Sequence, residues 1–175
     1  MDILKLIEKD HKEVKGIITK LEHSISNESG GGKELARKLF VELLLHAKTE
    51  QIALYTEIAG LRDDYKDFAM EGKIEHKLIE VTLRKLVKHA ESDDDFKACV
   101  SVIKDLLEHH AQEEEEDELF PKLRETIELA RRVEMGENMM KLKEKFRGDV
   151  ERLVNDAITG MGTGTDRAQS SASAH

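Results

Sequence analysis

Apolar residues recur every three or four positions through most of the chain, which is the repeat of one face of an α-helix. The first such stretch covers residues 3–26, and a glycine-rich turn ends it. A second stretch runs from about Lys33 to near Gly60, and a third from about Asp63 to Ala90. The pattern therefore predicts three long helices in the first half of the chain.

The second half continues the same pattern with more interruptions. An acidic cluster at 91–95 supplies an N-cap and first-turn carboxylates for a fourth helix. Pro121 has no N–H to donate, which predicts the end of that helix or a kink in it. A short helix should follow, then a break at Gly136 and an amphipathic helix over about 137–158. Residues 159–175 offer almost nothing to bury, which predicts a disordered tail.

The two halves of the helical region are related in sequence. DHKEVKGIITKL at 10–21 aligns without gaps with EHKLIEVTLRKL at 75–86, and we call the shift from Asp10 to Glu75 the repeat offset. HAKTEQIALY, from His46, aligns with HAQEEEEDELF, from His110, once one residue is inserted in the second copy. A repeated helix pair with short loops predicts pseudo-twofold symmetry. We expect an all-α fold, an antiparallel up-and-down four-helix bundle with an additional C-terminal helix.

Composition supports a single domain. The chain has 175 residues, 39% hydrophobic and 37% charged, with one proline and no tryptophan. A chain of this length buries roughly two thirds of its unfolded surface, so it needs no disulfide or structural metal for stability. We expect one domain over residues 1–158, with its core in about 1–135. Cys99 is the single cysteine, which favours the cytoplasm over an oxidising compartment.

Charge and hydropathy exclude several classes of partner. The formal net charge of -9 disfavours nucleic acid and anionic lipid, since both need a basic patch. The N-terminus lacks the features of a signal peptide, and no run approaches the roughly 18 apolar residues of a membrane span. We therefore expect a cytoplasmic protein that binds a small ligand, with no nucleic-acid or membrane partner. The sequence leaves its oligomeric state open.

Six polar side chains stand where the apolar stripes predict core residues. Each of the first four helices contributes a histidine, and the second and fourth add a glutamate one turn later: His11, His46, Glu50, His76, His110 and Glu114. Burying these groups without partners would cost several kcal/mol each, and metal coordination would remove that cost. Imidazole with carboxylate favours a transition metal over calcium or magnesium. The absence of thiolate argues against structural zinc.

The ligand count favours two metal ions. Six protein ligands are too many for one tetrahedral zinc, and around one octahedral ion they leave no open position. If both glutamates and an oxo or hydroxo group bridge two octahedral ions, about two positions remain for an outside ligand. Two iron ions are the best candidate by ligand type and redox use, with manganese or zinc behind.

These motifs resemble the hemerythrin-like proteins with an HHE cation-binding domain. The resemblance covers about residues 1–135 and rests on KDHKEV, HAKTEQIALYTEI, KIEHKLIEV and HHAQEEEEDELFPKL, in that order. It implies a four-helix bundle around a non-haem di-iron centre that binds O2, peroxide or NO. The family's ligand positions carry over to His11, His46, Glu50, His76, His110 and Glu114. Its activities include sensing, iron handling, stress defence and catalase-like turnover, so whether this chain is an enzyme stays open.

The third and fourth helices depart from the family pattern. Hemerythrin has a second histidine on its third helix where this chain has Glu80, which opens a coordination position and favours redox chemistry over oxygen carriage. His110 lies eleven residues before Pro121, where family members usually have ten, so a local bulge or a different register is possible. The apolar stripe continues through His110, which favours His110 with Glu114. The competing ligands are His109, Glu113 and Glu115, and Glu80 is a further candidate.

Two carboxylates directly precede predicted metal ligands in sequence. Asp10 precedes His11, and Glu75 precedes His76. Neighbouring residues project about 100° apart on a helix, so neither carboxylate easily reaches the ring beside it. Each could instead serve the histidine of an adjacent helix as a supporting hydrogen-bond partner.

Overall fold

The protein is described by a computed structural model over residues 1–28 and 30–160. Within these residues the chain consists of helices and turns, with no strand, which confirms the predicted all-α fold. None of the described helices is both long and apolar enough to cross a membrane. The predicted disordered tail lies outside the described residues from position 161 onward.

The first three helices begin close to their predicted positions. Helix α1 spans Ile3–Asn27. Helix α2 starts as the α-helix Gly32–Glu50, widens into the π-helical segment Gln51–Tyr55 and finishes as Thr56–Ile58. Helix α3 spans Asp63–Leu86, so it ends a few residues earlier than predicted.

The fourth helix differs most from a regular α-helix. Helix α4 starts as Asp94–Leu107, becomes π-helical over Glu108–Leu119 and returns to an α-helix at Phe120–Thr126. Pro121 is the second residue of that last part and has no N–H to donate to the preceding π-helical turn. The helix nevertheless continues past the proline instead of ending there. Helix α5 spans Leu129–Thr159.

Two apolar clusters fill the interior, and each of the first four helices contributes to both. Representative buried members are Leu21, Phe40, Leu83 and Phe96 in the first cluster, and Ile7, Leu54, Tyr65 and Phe120 in the second. Helices α1 and α3 pass from the second cluster to the first, whereas α2 and α4 pass from the first to the second.

Helix α5 packs against α1 and α2 and belongs to the same core. Near its start, the buried Arg132 donates to Asp2 Oδ2 at 3.0 Å. The same guanidinium donates to the backbone carbonyls of Arg124 and Ile127, at 3.0 and 2.7 Å. These carbonyls end α4 and would otherwise lack donors. One arginine thus connects the end of α4, the start of α5 and the N-terminus.

The predicted break at Gly136 does not occur. Helix α5 begins at Leu129, not at about 137, and runs through Gly136 without interruption. A Cβ atom at Gly136 would collide with the carbonyl oxygen of Met1 and lie 3.0 Å from the backbone nitrogen of Ile3. The glycine therefore provides space for the first residues of the chain to contact α5.

Gly136→Ala should destabilise the protein by about 1–3 kcal/mol, because the added methyl group must displace the N-terminal backbone. Gly148→Ala is the matched control, since it lies in the same helix and a Cβ there has no heavy atom within 4 Å. Its expected effect is a gain of about 0.5–1 kcal/mol from the lower flexibility of the unfolded chain. Urea denaturation measures the free energy of unfolding of both variants. Equal changes in the two would contradict the close approach of the N-terminal backbone to Gly136.

Candidate metal centre

Four histidines and two glutamates meet where the two apolar clusters adjoin. Their side chains are buried, with exposed fractions from 0 to 6%, and we call them the buried cluster: His11, His46, Glu50, His76, His110 and Glu115. Five of these residues belong to the set predicted from the sequence. The structure brings Glu115 into the sixth position and leaves Glu114 outside it.

Glu50 stands between histidines of two helices. Its Oε2 atom lies 3.3 Å from Nε2 of His46, on the same helix, and 3.3 Å from Nε2 of His76, on α3. Both carboxylate oxygens of Glu50 are buried without a hydrogen-bond partner among the described residues. This half of the cluster therefore presents two imidazole nitrogens around one carboxylate.

Glu115 repeats the arrangement in the second half of the chain. Its Oε2 atom lies 3.4 Å from Nε2 of His11, on α1, and 3.9 Å from Nε2 of His110, on its own helix. The repeat offset that takes Asp10 to Glu75 also takes Glu50 to Glu115. The two halves of the buried cluster are therefore equivalent under the pseudo-twofold relation of the sequence.

The π-helical part of α4 explains why Glu115 occupies the position predicted for Glu114. Backbone hydrogen bonds in a π-helix join residues five apart, as in the bond from Phe120 N–H to the Glu115 carbonyl. Residues five apart then lie on one face, so His110 and Glu115 point inward together. Glu114 turns away and lies 3.1 Å from Nε2 of His109. The prediction assumed a regular α-helix, in which residues four apart share a face.

Asp10 and Glu75 contact the histidines of adjacent helices. The Nδ1 atom of His46 lies 3.2 Å from Asp10 Oδ2, and Nδ1 of His110 lies 2.7 Å from Glu75 Oε2. Each carboxylate therefore supports a ring on another helix, as the 100° projection of neighbouring residues predicts. With Nδ1 engaged outside the cluster, the Nε2 atoms of both rings are directed inward.

The other two histidines have outer partners that sequence reasoning missed. Nδ1 of His11 lies 2.8 Å from Glu116 Oε1, and Nδ1 of His76 contacts the side-chain amide of Gln51 at 3.1 Å. Gln51 and Glu116 are themselves related by the repeat offset, a signal that could have found them. The Glu116 carboxylate can accept from Nδ1–H of His11, which leaves the Nε2 lone pair of His11 for a metal, the common arrangement of metal-binding histidine. The amide nitrogen of Gln51 instead donates to Nδ1 of His76.

The interior of the buried cluster contains unsatisfied polar atoms. Five buried atoms lack a hydrogen-bond partner among the described residues: His11 Nε2, His46 Nε2, Glu50 Oε1, Glu50 Oε2 and Glu115 Oε2. In addition, Nε2 of His76 and Nε2 of His110 face each other at 3.0 Å. Buried polar atoms are nearly always paired, and each orphan costs about 1–3 kcal/mol. A nitrogen and oxygen donor set that converges in this way fits a transition-metal cation.

The histidines of the first half have opposite pKa shifts. Burial by itself lowers the pKa of His46, but the charge of Glu50 and the hydrogen bond to Asp10 outweigh burial and raise that pKa to about 10. For His76 burial dominates and lowers the pKa to about 4. One ring therefore carries a proton near neutral pH, and the other is neutral.

The second half also holds protons. Burial lowers the pKa of His110, but the charges of Glu115 and Glu75 outweigh it and raise the pKa to about 9. Burial, together with the charge of Glu50, raises the pKa of Glu115 to about 8. A bound cation would have to displace these protons, so cation binding is coupled to proton release.

Tyr55 makes the two halves inequivalent. Its hydroxyl donates to Glu115 Oε1 at 2.6 Å, and its ring stacks on His76 with the ring centroids 5.7 Å apart. The equivalent residue in the second half is Phe120, which has no hydroxyl to offer Glu50. Gly72 makes room for the tyrosine, because a Cβ there would lie 2.5 Å from the Tyr55 hydroxyl oxygen.

The remaining candidate ligands lie outside the buried cluster. Glu80 pairs with Lys77 at 3.0 Å and with Arg84 at 2.8 Å, so nearby cations already balance its carboxylate. His109 and Glu113 contact each other at 2.9 Å, and their side chains are 53% and 65% exposed. None of the three replaces a member of the buried cluster.

A family model of the hemerythrin HHE cation-binding domain matches residues 2–123. The chain belongs to the hemerythrin HHE cation-binding domain family. The matched range includes every member of the buried cluster and confirms the resemblance seen in the sequence motifs. HHE domains bind metal cations, and four members of this cluster place ligand atoms within 4.8 Å of one another: His46, Glu50, His76 and His110. Searches of curated proteins and of solved structures found no match.

Tyr55→Phe should lower the free energy of unfolding of the chelator-treated HHE protein by about 1–3 kcal/mol, because Glu115 loses its buried donor. Tyr65→Phe is the matched control, since its hydroxyl pairs with Thr126, an exposed residue whose hydroxyl water can satisfy. Urea denaturation compares the two variants. A loss for Tyr55→Phe no larger than that for Tyr65→Phe would contradict the role of this bond.

Proposed function

We propose that the buried cluster binds two oxo- or hydroxo-bridged iron ions and that this centre reacts with O2, peroxide or NO. The observation that carries the proposal is the convergence of unpartnered Nε2 and carboxylate oxygen atoms inside the core of an HHE domain. The ligand set is His11, His46, Glu50, His76, His110 and Glu115, with Glu115 in place of Glu114. Iron suits this set better than manganese or zinc when redox chemistry is required.

The protein's own contribution is to fix the ligands and exclude water. Four outer partners hold the imidazole rings with Nε2 inward: Asp10, Gln51, Glu75 and Glu116. The Tyr55 hydroxyl fixes one oxygen of Glu115, whereas Glu50 has no such donor. A bound iron pair would supply Lewis acidity and electrons for a redox reaction. None of the cluster side chains is an obvious nucleophile, so redox turnover is favoured over hydrolysis.

A small apolar pocket next to the buried cluster supports a small, weakly polar ligand. The pocket reaches His46, His76 and His110, and its other lining residues are Leu43, Leu44, Ala47, Ile79, Glu80, Leu83 and Leu107. Such a lining offers few hydrogen bonds to a larger polar substrate, but it accommodates a diatomic molecule. Dioxygen and nitric oxide fit this description best, and peroxide is small enough to enter.

The alternative function is an iron, oxygen or redox sensor, or an iron-handling module without turnover. The observation that favours it is the ion pair between Lys143 of α5 and Asp10, the carboxylate that also contacts His46. A change at the buried cluster would thereby be felt by the C-terminal helix. Peroxide added to the iron-loaded protein separates the two functions, because oxygen evolution indicates turnover and its absence favours the sensor.

The proposal also includes the antiparallel up-and-down order of the first four helices, which their alternation between the two apolar clusters supports. It assigns the protein to the cytoplasm, with no nucleic-acid or membrane partner. The net charge of -9 and the single cysteine support this assignment.

The purified protein, reconstituted with ferrous iron and exposed to air, should contain at least two irons per chain and show a near-ultraviolet oxo-bridge band. His76→Ala should abolish the band, because it removes a ligand and opens a cavity beside Glu50. Metal analysis and absorption spectra before and after reduction measure both. A colourless protein whose stability does not change on adding iron would contradict the proposal.

Glu115→Gln should abolish the oxo-bridge band, since a neutral amide replaces a buried carboxylate ligand. Glu114→Gln is the matched control, because the same change one residue earlier lies outside the buried cluster. The absorption spectrum of each iron-loaded variant decides between them. Loss of the band in Glu114→Gln, with retention in Glu115→Gln, would restore the ligand set expected from the sequence.

A further inference from the structure

A second group of metal-ligand atoms lies on the outer side of His110. Glu75, His109 and Glu114, which we call the outer triad, place one ligand atom each within 4.8 Å of one another. Nε2 of His109 lies 3.1 Å from Glu114 Oε1 and 3.7 Å from Glu75 Oε1. The other oxygen of Glu75 contacts Nδ1 of His110 at 2.7 Å. One carboxylate therefore connects the outer triad to the buried cluster.

The π-helical part of α4 builds the outer triad by the same spacing that builds the buried cluster. His110 and Glu115 lie five residues apart and point inward. His109 and Glu114 each precede one of them, are also five residues apart and lie together on the adjacent face. The helix thus presents two parallel His–Glu pairs, one buried and one within reach of solvent.

Glu113 orients the imidazole of His109 for a cation. The Nδ1–H of His109 can donate to Glu113 Oε2 at 2.9 Å. Its Nε2 atom lies beside the two other carboxylates, and a metal ion that displaces the Nε2 proton would meet all three ligand atoms there. A carboxylate behind the ring is the usual support of a metal-binding histidine. The side chain of His109 is 53% exposed, whereas those of Glu75 and Glu114 are 11% and 16% exposed. A cation from solvent can therefore reach partly buried carboxylates.

The first half of the chain shows how the equivalent carboxylate is neutralised. Asp10, which the repeat offset relates to Glu75, contacts His46 and also forms an ion pair with the ammonium of Lys143. Within the described residues, Glu75 forms no ion pair with lysine or arginine. Its contacts are instead with His110 and, on the solvent side, with the imidazole of His109, a ring that can exchange a proton for a metal ion where the Lys143 ammonium cannot bind one.

The residues that directly precede the buried His–Glu pairs also differ in charge between the two halves of the chain. In the first half, the residue before His46 is Leu45 and the residue before Glu50 is Thr49. Both are buried and uncharged. The second half instead has an imidazole and an additional carboxylate at these positions. This half of the chain therefore has cation ligands where the first half has an ammonium ion and core residues.

We propose that Glu75, His109 and Glu114 form a third metal site, open to solvent, for a divalent transition-metal ion such as Zn²⁺, Mn²⁺ or Fe²⁺. One imidazole and two carboxylates match the ligand preferences of these ions, and water completes the coordination shell. The site shares Glu75 with the surroundings of His110. It binds its ion whether or not the buried cluster holds iron.

Calorimetric titration of the chelator-treated full-length protein with Co²⁺ tests the proposal. The double variant H109L/E114T replaces two members of the outer triad with leucine and threonine, the residue types of their first-half counterparts Leu45 and Thr49. It leaves Glu75 in place. The wild type should bind one more equivalent of Co²⁺ than this variant. His23→Leu, which changes an exposed histidine of α1, is the control and should bind as the wild type does.

The difference between the two titrations reports on the outer triad alone. If the buried cluster binds no metal, the wild type and the double variant each bind fewer equivalents of Co²⁺. The difference of one equivalent between them remains. Circular dichroism verifies that the double variant is folded, and His109→Asn, with the same expected loss, replaces it if it is not. Equal stoichiometry in the wild type and in the folded variant would overturn the proposal.

Discussion

Six ionisable side chains buried where two apolar clusters meet set the main constraint on this protein. Desolvation of such groups is costly unless each finds a partner of opposite charge, a hydrogen bond or a metal ion. The surrounding helices satisfy the outer nitrogen of every histidine in the buried cluster, but they leave inner nitrogen and oxygen atoms facing one another. The fold is therefore arranged around a group of nitrogen and oxygen donors that could hold a metal cation, as expected for an HHE cation-binding domain.

The supporting contacts extend the pseudo-twofold relation beyond the buried cluster. Asp10 and Glu75 support one pair of histidines, and Gln51 and Glu116 support the other. The symmetry ends where the surroundings differ, since only the first half has the Tyr55 hydroxyl. Equivalent ligands thus acquire different environments, and a two-ion centre built on them would have two inequivalent positions.

The different surroundings of Asp10 and Glu75, outside the buried cluster, also depend on helix α5. Helix α5 covers α1 and α2, and its Lys143 neutralises Asp10 on that side. Over its described length it forms no ion pair with Glu75, whose surroundings stay open to solvent and carry His109 and Glu114. Packing of α5 against α1 and α2 therefore gives Asp10 an ammonium partner, and within the described residues no lysine or arginine takes that place beside Glu75.

The sequence by itself determined the first three helices, the repeat and the family, because these depend on periodicity and on residue types at fixed spacing. It also identified five members of the buried cluster, since histidines on an apolar stripe must point inward. Only the tertiary structure decided between Glu114 and Glu115, because the π-helical segment changes which residues share a face. The role of Gly136 likewise depended on a contact with Met1, which is distant in sequence and invisible to local pattern.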